Sequence, residues 1–272
     1  MTSSSSNPTI TETFRALKER QHIGLVPFLP AGYPNLDTTV AALHTLQDNG
    51  ASVIEIGFPF SDPIADGPVI QEAFTVALAQ KLKIGDIFKA VSGAKATLLV
   101  PLVAMVSYSI VFRFGIERFA QEARQAGFAG LIVPDLPPPE AQSVSSRIQK
   151  ADLDTILLVA PTTTAVRRKE IAGLCTGFVY YLSVSGTTGE RDKLPADLSE
   201  SVRELKSHTD RPICVGFGIH QPQHLAQLAS IADGAIVGTA YVRRMKQHLT
   251  ETPTQIAKIL GTYTRELLSQ VR

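Results

Sequence analysis

Two carboxylates, Glu55 and Asp66, have the clearest chemical reading in this sequence. Glu55 stands inside Val53-Ile54-Glu55-Ile56-Gly57, an apolar β-branched run that ends on glycine. Strand alternation puts it on one face with Val53 and Gly57, opposite Ile54 and Ile56. If the isoleucines face covering helices, the carboxylate points into the mouth of whatever the strand lines. A carboxylate there is costly unless it is paired, hydrogen-bonded or raised in pKa, and the last option makes a general acid–base. A structural ion pair is the alternative, but the apolar runs of this chain contain almost no lysine or arginine to supply it.

Asp66 lies in the segment that follows, Pro59-Phe60-Ser61-Asp62-Pro63-Ile64-Ala65-Asp66-Gly67-Pro68. Three prolines fix φ and reduce what the segment loses on ordering. A loop this stiff suits holding a second carboxylate at a set distance from Glu55. Asp66 is equally well placed, before Gly67-Pro68, to be the N-cap of a helix, and Asp62 competes for the acid–base role.

Later in the chain, three glycine-bearing segments follow short apolar runs: Ser183-Val184-Ser185-Gly186-Thr187-Thr188-Gly189, Val215-Gly216-Phe217-Gly218 and Val237-Gly238-Thr239-Ala240. Glycine lets backbone N–H groups approach an anion, and a helix N-terminus adds a favourable dipole. Each glycine alone reads as a turn residue; three sets in succession point to a phosphate site built from amides and the Thr239 hydroxyl. No Walker motif occurs. His220 and His224 have the i, i+4 spacing of a metal pair, yet Pro222 lies between them and no third ligand is near, so metal binding is not expected. Arg243-Arg244-Met245-Lys246 is too short for a nucleic-acid surface and reads as a solvated helix end.

The elements that must position these groups are short β-branched runs alternating with amphipathic helical patterns. The runs are Leu25–Leu29, Ser52–Phe58, Leu98–Met105, Gly130–Pro134, Thr155–Ala160, Phe178–Ser183, Ile213–Phe217 and Gly234–Gly238. Several are apolar on both faces, as parallel strands covered on both sides are. Between them, helical stripes carry start and stop signals: Asn35 before Val40, Leu43 and Leu46, Gly127 after Ile116, Phe119 and Ala123, Pro222 just inside a start, and the capping-box pattern Thr252-Pro253-Thr254-Gln255. Eight strand–helix repeats predict an α/β fold of parallel strands closed into a single (β/α)8 TIM barrel, with catalytic groups at the C-terminal ends of its strands. No G-x-G-x-x-G follows the first run, which argues against an open dinucleotide-binding sheet. An extra N-terminal helix, Ile10 to Glu19, precedes the first strand and is expected to cover the barrel floor. Residues 1–272 read as one domain, with 1–9 flexible.

Composition sets the outer bounds. The chain has 272 residues, 44% hydrophobic and 19% charged, with a formal net charge of +1. That balance disfavours disorder and gives no global field for nucleic acid or anionic lipid, so a small anion must be held by local donors. Cys175 and Cys214 stand far apart without a motif and read as buried thiols. With no apolar leader and no spanning stretch of ~18 residues, a cytoplasmic protein is expected.

The segment Pro59 to Pro68 with Glu55 upstream resembles the signature of the tryptophan synthase α family. Ser183-x-Ser185-Gly186-x-Thr188-Gly189, Gly216-Phe217-Gly218 and Asp135-Leu136-Pro137 match in order and interval, and the likeness covers roughly Gly24 to Arg244. The resemblance implies retro-aldol cleavage of indole-3-glycerol phosphate to indole and glyceraldehyde 3-phosphate, in tryptophan biosynthesis. Glu55 is then the general acid–base, Asp66 accepts from the indole N–H, and Tyr180 lies near the glutamate. Phe28 and Ile64 line the indole pocket, Thr188 meets Asp66 when the site closes, and Gly189, Gly218, Gly238 and Thr239 bind phosphate. It further implies no cofactor in this chain, and an α2β2 tetramer with a β subunit that holds pyridoxal phosphate, touched through Pro59 and Asp62.

Three positions depart from the family pattern. Ser109 replaces an asparagine toward the β-facing side, where it bears on channelling rather than on the chemistry. Pro30 stands where threonine is common, at the pocket floor, and Thr239 replaces a serine while keeping the hydroxyl. Two competing readings are another phosphate-substrate barrel, which would need a different acid–base set, and a catalytically idle α-like subunit that regulates β, which should have lost a carboxylate.

Overall fold

The computed structural model describes residues 8–63, 66–183, 194–216 and 218–271. Nine strands are present among the described residues: β1 (Gly24–Pro30), β2 (Ile54–Gly57), β3 (Leu102–Met105), β4 (Phe128–Ile132), β5 (Asp154–Ile156), β6 (Leu158–Val159), β7 (Val179–Leu182), β8 (Ile213–Gly216) and β9 (Gly234–Val237). They pair in the order β5-β4-β3-β2-β1-β9-β8-β7-β6, every pair parallel. The two ends of that order, β5 and β6, are consecutive pieces of one segment separated by Leu157. The ladder therefore returns to itself and forms the expected barrel of eight strand positions.

The break at Leu157 has a local cause. Its N–H turns to the Cys175 thiol at 3.3 Å, while its carbonyl accepts from Tyr180 N at 3.1 Å. One residue thus leaves the β4 side of the ladder and joins the β7 side. The expected single strand Thr155–Ala160 is in fact two. Two other expectations shift as well. The run from Leu98 enters the ladder only at Leu102, after Pro101, whose nitrogen donates nothing to a neighbouring strand. The fourth strand starts at Phe128, directly after the Gly127 helix stop, and is over by Ile132.

Twelve α-helices are present among the described residues, and their ends follow the sequence signals. The Asn35 side chain accepts from Thr38 N, Gly127 closes the helix Ile116–Ala126 at φ +109°, and Pro222 sits at the first position of Pro222–Leu228. Thr252 and Gln255 form a reciprocal capping box at the start of Pro253–Leu268.

Two apolar layers result. Ile54, Ile56, Ala104, Leu131 and Val215 face outward against the helices, whereas Val26, Val53, Val103, Ile132, Ile156, Tyr180, Cys214 and Ile236 fill the interior. Ile10 and Phe14, from the helix Ile10–Glu19, complete the interior layer from below, as expected of a floor-covering helix. Phe14 packs edge-on against Phe178 with ring centroids 6.0 Å apart. Gly24 and Gly234 leave room for it, because a Cβ at either would lie about 3 Å from the Phe14 ring. The helix starts on Thr9, which caps it reciprocally with Glu12. Both cysteines are buried free thiols.

Candidate active site

The alternation along β2 decides the direction of Glu55. With Ile54 and Ile56 in the outer layer and Val53 in the interior layer, the Glu55 side chain is directed inward and is completely buried. It stands in register with Phe28 on β1 and Val103 on β3. Neither carboxylate oxygen has a hydrogen-bond partner among the described residues, so the ion-pair alternative has no cation there. Burial, and secondarily the charge of Asp66, push the Glu55 carboxyl up to about 8. At neutral pH it holds its proton.

Asp66 approaches from the loop after β2. The helix Pro68–Ala79 is capped by Gly67 without a side-chain bond, so the N-cap alternative for Asp66 does not hold. The Asp66 backbone is tied instead: its N–H bonds Pro63 O at 3.0 Å, and Gln71 Nε2 donates to its carbonyl at 2.8 Å. Burial raises the Asp66 carboxyl to about 6, below Glu55. Asp62 is exposed and takes a 3.1 Å bond from Ser61 Oγ, at the surface and away from the interior. Ile64 lies outside the described residues.

Tyr180, on β7, is buried in the interior layer and pairs Leu158 on one side and Cys214 on the other. Its hydroxyl is pushed well above the usual range by burial, with the Glu55, Asp66 and Cys214 charges adding to it. Gly216 makes room for this ring, since a Cβ there would lie 2.5 Å from Tyr180 Cε2 and 2.7 Å from its Oη. The glycine read as part of a phosphate loop is thus required first by the tyrosine beside it. Phe28 is held in the same way, by Gly57, where a Cβ would fall 2.5 Å from the Phe28 ring, and edge-on by Phe74 at 6.5 Å.

At the same end of the barrel, Gly218 follows β8 at φ +83°, a left-handed conformation that glycine adopts without strain. Gly238 follows β9 and is the N-cap of the helix Thr239–Gln247, whose first turn has no side-chain cap; Thr239 is its first residue and is half-buried. Phe28 lies against Gly238 at ordinary contact distance. Gly216 and Gly238 thus border two different rings of the interior, Tyr180 and Phe28. Thr188 and Gly189 lie outside the described residues.

A family model described as "Tryptophan synthase alpha chain" matches residues 14–271. The chain belongs to the tryptophan synthase alpha chain family. The tryptophan synthase alpha chain of Rhodopirellula baltica is 43% identical over 256 residues, which cover 93% of this chain and 92% of that one. The counterpart from Prochlorococcus marinus is 42% identical, over 97% and 95%. Among solved structures, the Mycobacterium tuberculosis tryptophan synthase superposes with a TM-score of 0.87 at 36% identity, covering 98% of this chain and 99% of that one. Members of the family are carbon–carbon lyases that cleave indole-3-glycerol phosphate in tryptophan biosynthesis, and this chain is one of them.

Within the tryptophan synthase alpha frame, the Asp135 motif and the Ser109 departure meet. Asp135 accepts from Ser107 Oγ at 2.7 Å and from Tyr108 N at 2.7 Å, and Ser107 Oγ lies 3.0 Å from Ser109 Oγ. The serine hydroxyl joins a network that ties the loop after β3 to the loop after β4. Pro30 is the buried last residue of β1, in register with Gly57. Phe74, which holds the Phe28 ring edge-on, has no signal in the sequence beyond an apolar helical stripe.

Proposed function

We propose that this chain cleaves indole-3-glycerol phosphate with Glu55 as general acid–base and Asp66 as the carboxylate facing the indole nitrogen. The observation that carries this is the pair itself: a buried carboxyl without a hydrogen-bond partner among the described residues, and a second one near enough to act on its charge, whose pKa is lower. Burial separates two chemically similar groups into a proton donor and a charge stabiliser at neutral pH.

In the first step Glu55 gives its proton to C3 of the indole. The ring becomes an indolenine cation, and Asp66, ionised, accepts the N–H hydrogen bond and stabilises that charge. In the second step Glu55, now ionised, removes the proton of the glycerol hydroxyl. The O–H electrons form the aldehyde, the C–C bond breaks, and its electrons restore the aromatic ring. Indole and glyceraldehyde 3-phosphate leave, and Glu55 has recovered its proton. Each proton transfer of this kind contributes roughly 10²–10⁴-fold. Tyr180 packs beside Glu55, Phe28 and Ile64 bound the indole, and Gly218, Gly238, Thr239 and Gly189 hold the phosphate, with Thr188 meeting Asp66. The chain works as one barrel domain in the cytoplasm and needs no cofactor of its own. Its partner is a pyridoxal-phosphate β subunit in an α2β2 complex, contacted through Pro59 and the exposed Asp62; no helix among the described residues is long and apolar enough to cross a membrane.

Indole release by the wild-type chain, Glu55→Gln and Asp66→Asn, each with and without a β subunit, tests the reading. Both variants are expected to lose at least about 100-fold in kcat while still binding glycerol phosphate. Wild-type levels of release from Glu55→Gln would remove the glutamate from the chemistry. No release from the wild-type chain even with its own β subunit would favour the regulatory α-like reading.

A further inference from the structure

His220 is set apart by its bonds. Its Nδ1 lies 2.9 Å from the carbonyl oxygen of Gly218, and its Nε2 lies 3.0 Å from Nε2 of Gln221. A carbonyl only accepts and an amide NH₂ only donates. Nδ1 therefore donates to Gly218 O, and Nε2 accepts from Gln221. Its backbone is fixed from two further sides. His220 N donates to His224 Nδ1 at 3.4 Å, and the Tyr263 hydroxyl donates to His220 O at 2.9 Å. Tyr263 is itself packed edge-on against Tyr241, ring centroids 4.9 Å apart, and covered by the Arg244 guanidinium at 3.3 Å from its centroid. Tyr241 and Arg244 belong to the helix Thr239–Gln247, and Tyr263 to Pro253–Leu268.

A chain of contacts thus runs from the helix that begins at Thr239, through Tyr263 of the C-terminal helix, to His220 and on to Gly218, which is held at positive φ. The bond to Gly218 O fixes the peptide plane that follows Gly218, and with it the orientation of the loop toward the barrel mouth. We infer that His220 is a positioning residue for the substrate's phosphate. It touches no reacting atom, and acts by holding the Gly218 loop in register with the Gly238–Thr239 helix start, so that both sets of amides meet one phosphate group. This rests on the phosphate reading given above for Gly218, Gly238 and Thr239. It also gives the two histidines of metal-like spacing a different task, because His224 spends its Nδ1 on the His220 backbone.

Steady-state indole release, competed with inorganic phosphate, tests this in the full chain with its β subunit present. His220→Ala is expected to raise KM for indole-3-glycerol phosphate and the inhibition constant for phosphate by about five- to tenfold, with kcat within twofold. His220→Asn places an N–H where Nδ1 was and should bring both constants back to within twofold of wild type. Tyr263→Phe should shift them in the same direction as His220→Ala, but less. Thr239→Ala reports on the phosphate site independently. If Thr239→Ala weakens phosphate while His220→Ala and Tyr263→Phe do not, the positioning role is overturned and the phosphate site stands. If none of them alters KM or phosphate inhibition, the phosphate reading fails and the inference falls with it. A fall in kcat and thermal stability without a KM change, or no rescue by His220→Asn, would reduce His220 to a packing residue.

Discussion

At the scale of single residues, Glu55 shows how a burial cost is turned to use. In water a glutamate titrates near 4.5, whereas here burial, with the Asp66 charge adding to it, keeps the neutral form to about 8, and neither carboxylate oxygen has a hydrogen-bond partner among the described residues. The folded state therefore holds this proton more tightly than the unfolded chain does. Between pH 4.5 and 8 the unfolded chain releases a proton that the folded one keeps, so this group's contribution to stability falls as pH rises through that window. Asp66, raised to about 6 from 3.8, acts in the same direction at lower pH. Glu55→Gln removes the stronger of these two effects. Relative to wild type, the variant should gain on the order of 3 kcal/mol at about pH 9 compared with about pH 5, read from urea unfolding at the two values. An equal effect of the substitution at both pH values would mean that the glutamate is not charged at a cost in the folded state. Alternation alone tells that this side chain shares a face with Val53, and the packing of Ile54 and Ile56 against the helices turns that face inward. The fate of Asp66 is not legible in the sequence, because a cap and a site carboxylate share the same local sequence and differ only in where the loop turns.

At the scale of elements, the glycines after the strands have more than one master. Gly216 reads as a residue of an anion-binding loop, and Tyr180, on the neighbouring strand, already requires it to lack a side chain. Gly216→Ala should cost about 1–3 kcal/mol of stability and, on the proposed reading, lower kcat, because the Tyr180 ring must leave its place in the interior. Combining it with Tyr180→Ala should abolish most of that extra stability cost, as a double-mutant cycle would register through a coupling energy well above zero. Full additivity would show that the two do not compete for the same space. Element ends are legible where one residue decides them, as at Asn35, Gly127, Pro222 and Thr252. The interruption at Leu157 is not. A continuous apolar run contains no sign that a thiol eighteen residues away will take the backbone N–H of its middle residue.

At the scale of the whole molecule, the two ends of the barrel divide the labour. The floor is closed by Ile10 and Phe14 against Phe178, with Gly24 and Gly234 shaped around them, while Glu55 in β2, Gly218 after β8 and Gly238 after β9 lie toward the C-terminal ends of the strands. Activity should therefore survive damage below. Phe14→Ala is expected to cost about 3–5 kcal/mol in denaturant unfolding, yet leave kcat and KM for indole-3-glycerol phosphate within twofold at a temperature where the variant is folded. A large loss of kcat in folded protein would show that the floor sets the mouth geometry after all.

The sequence by itself determined the alternation of strands and helices, the grouping of Glu55 with Val53 on one face of β2 and the identity of the family, because periodicity, caps and a ten-residue segment are short-range signals. The tertiary structure decided which alternatives survive. It left Glu55 without a counter-charge among the described residues, freed Asp66 from capping, and turned His220 from a candidate ligand into a hydrogen-bond donor for Gly218. Those outcomes depend on which groups from distant elements arrive within about 3 Å of one another, and burial sets how much each arrival matters, since an unmet charge or donor costs most where water cannot replace its partner.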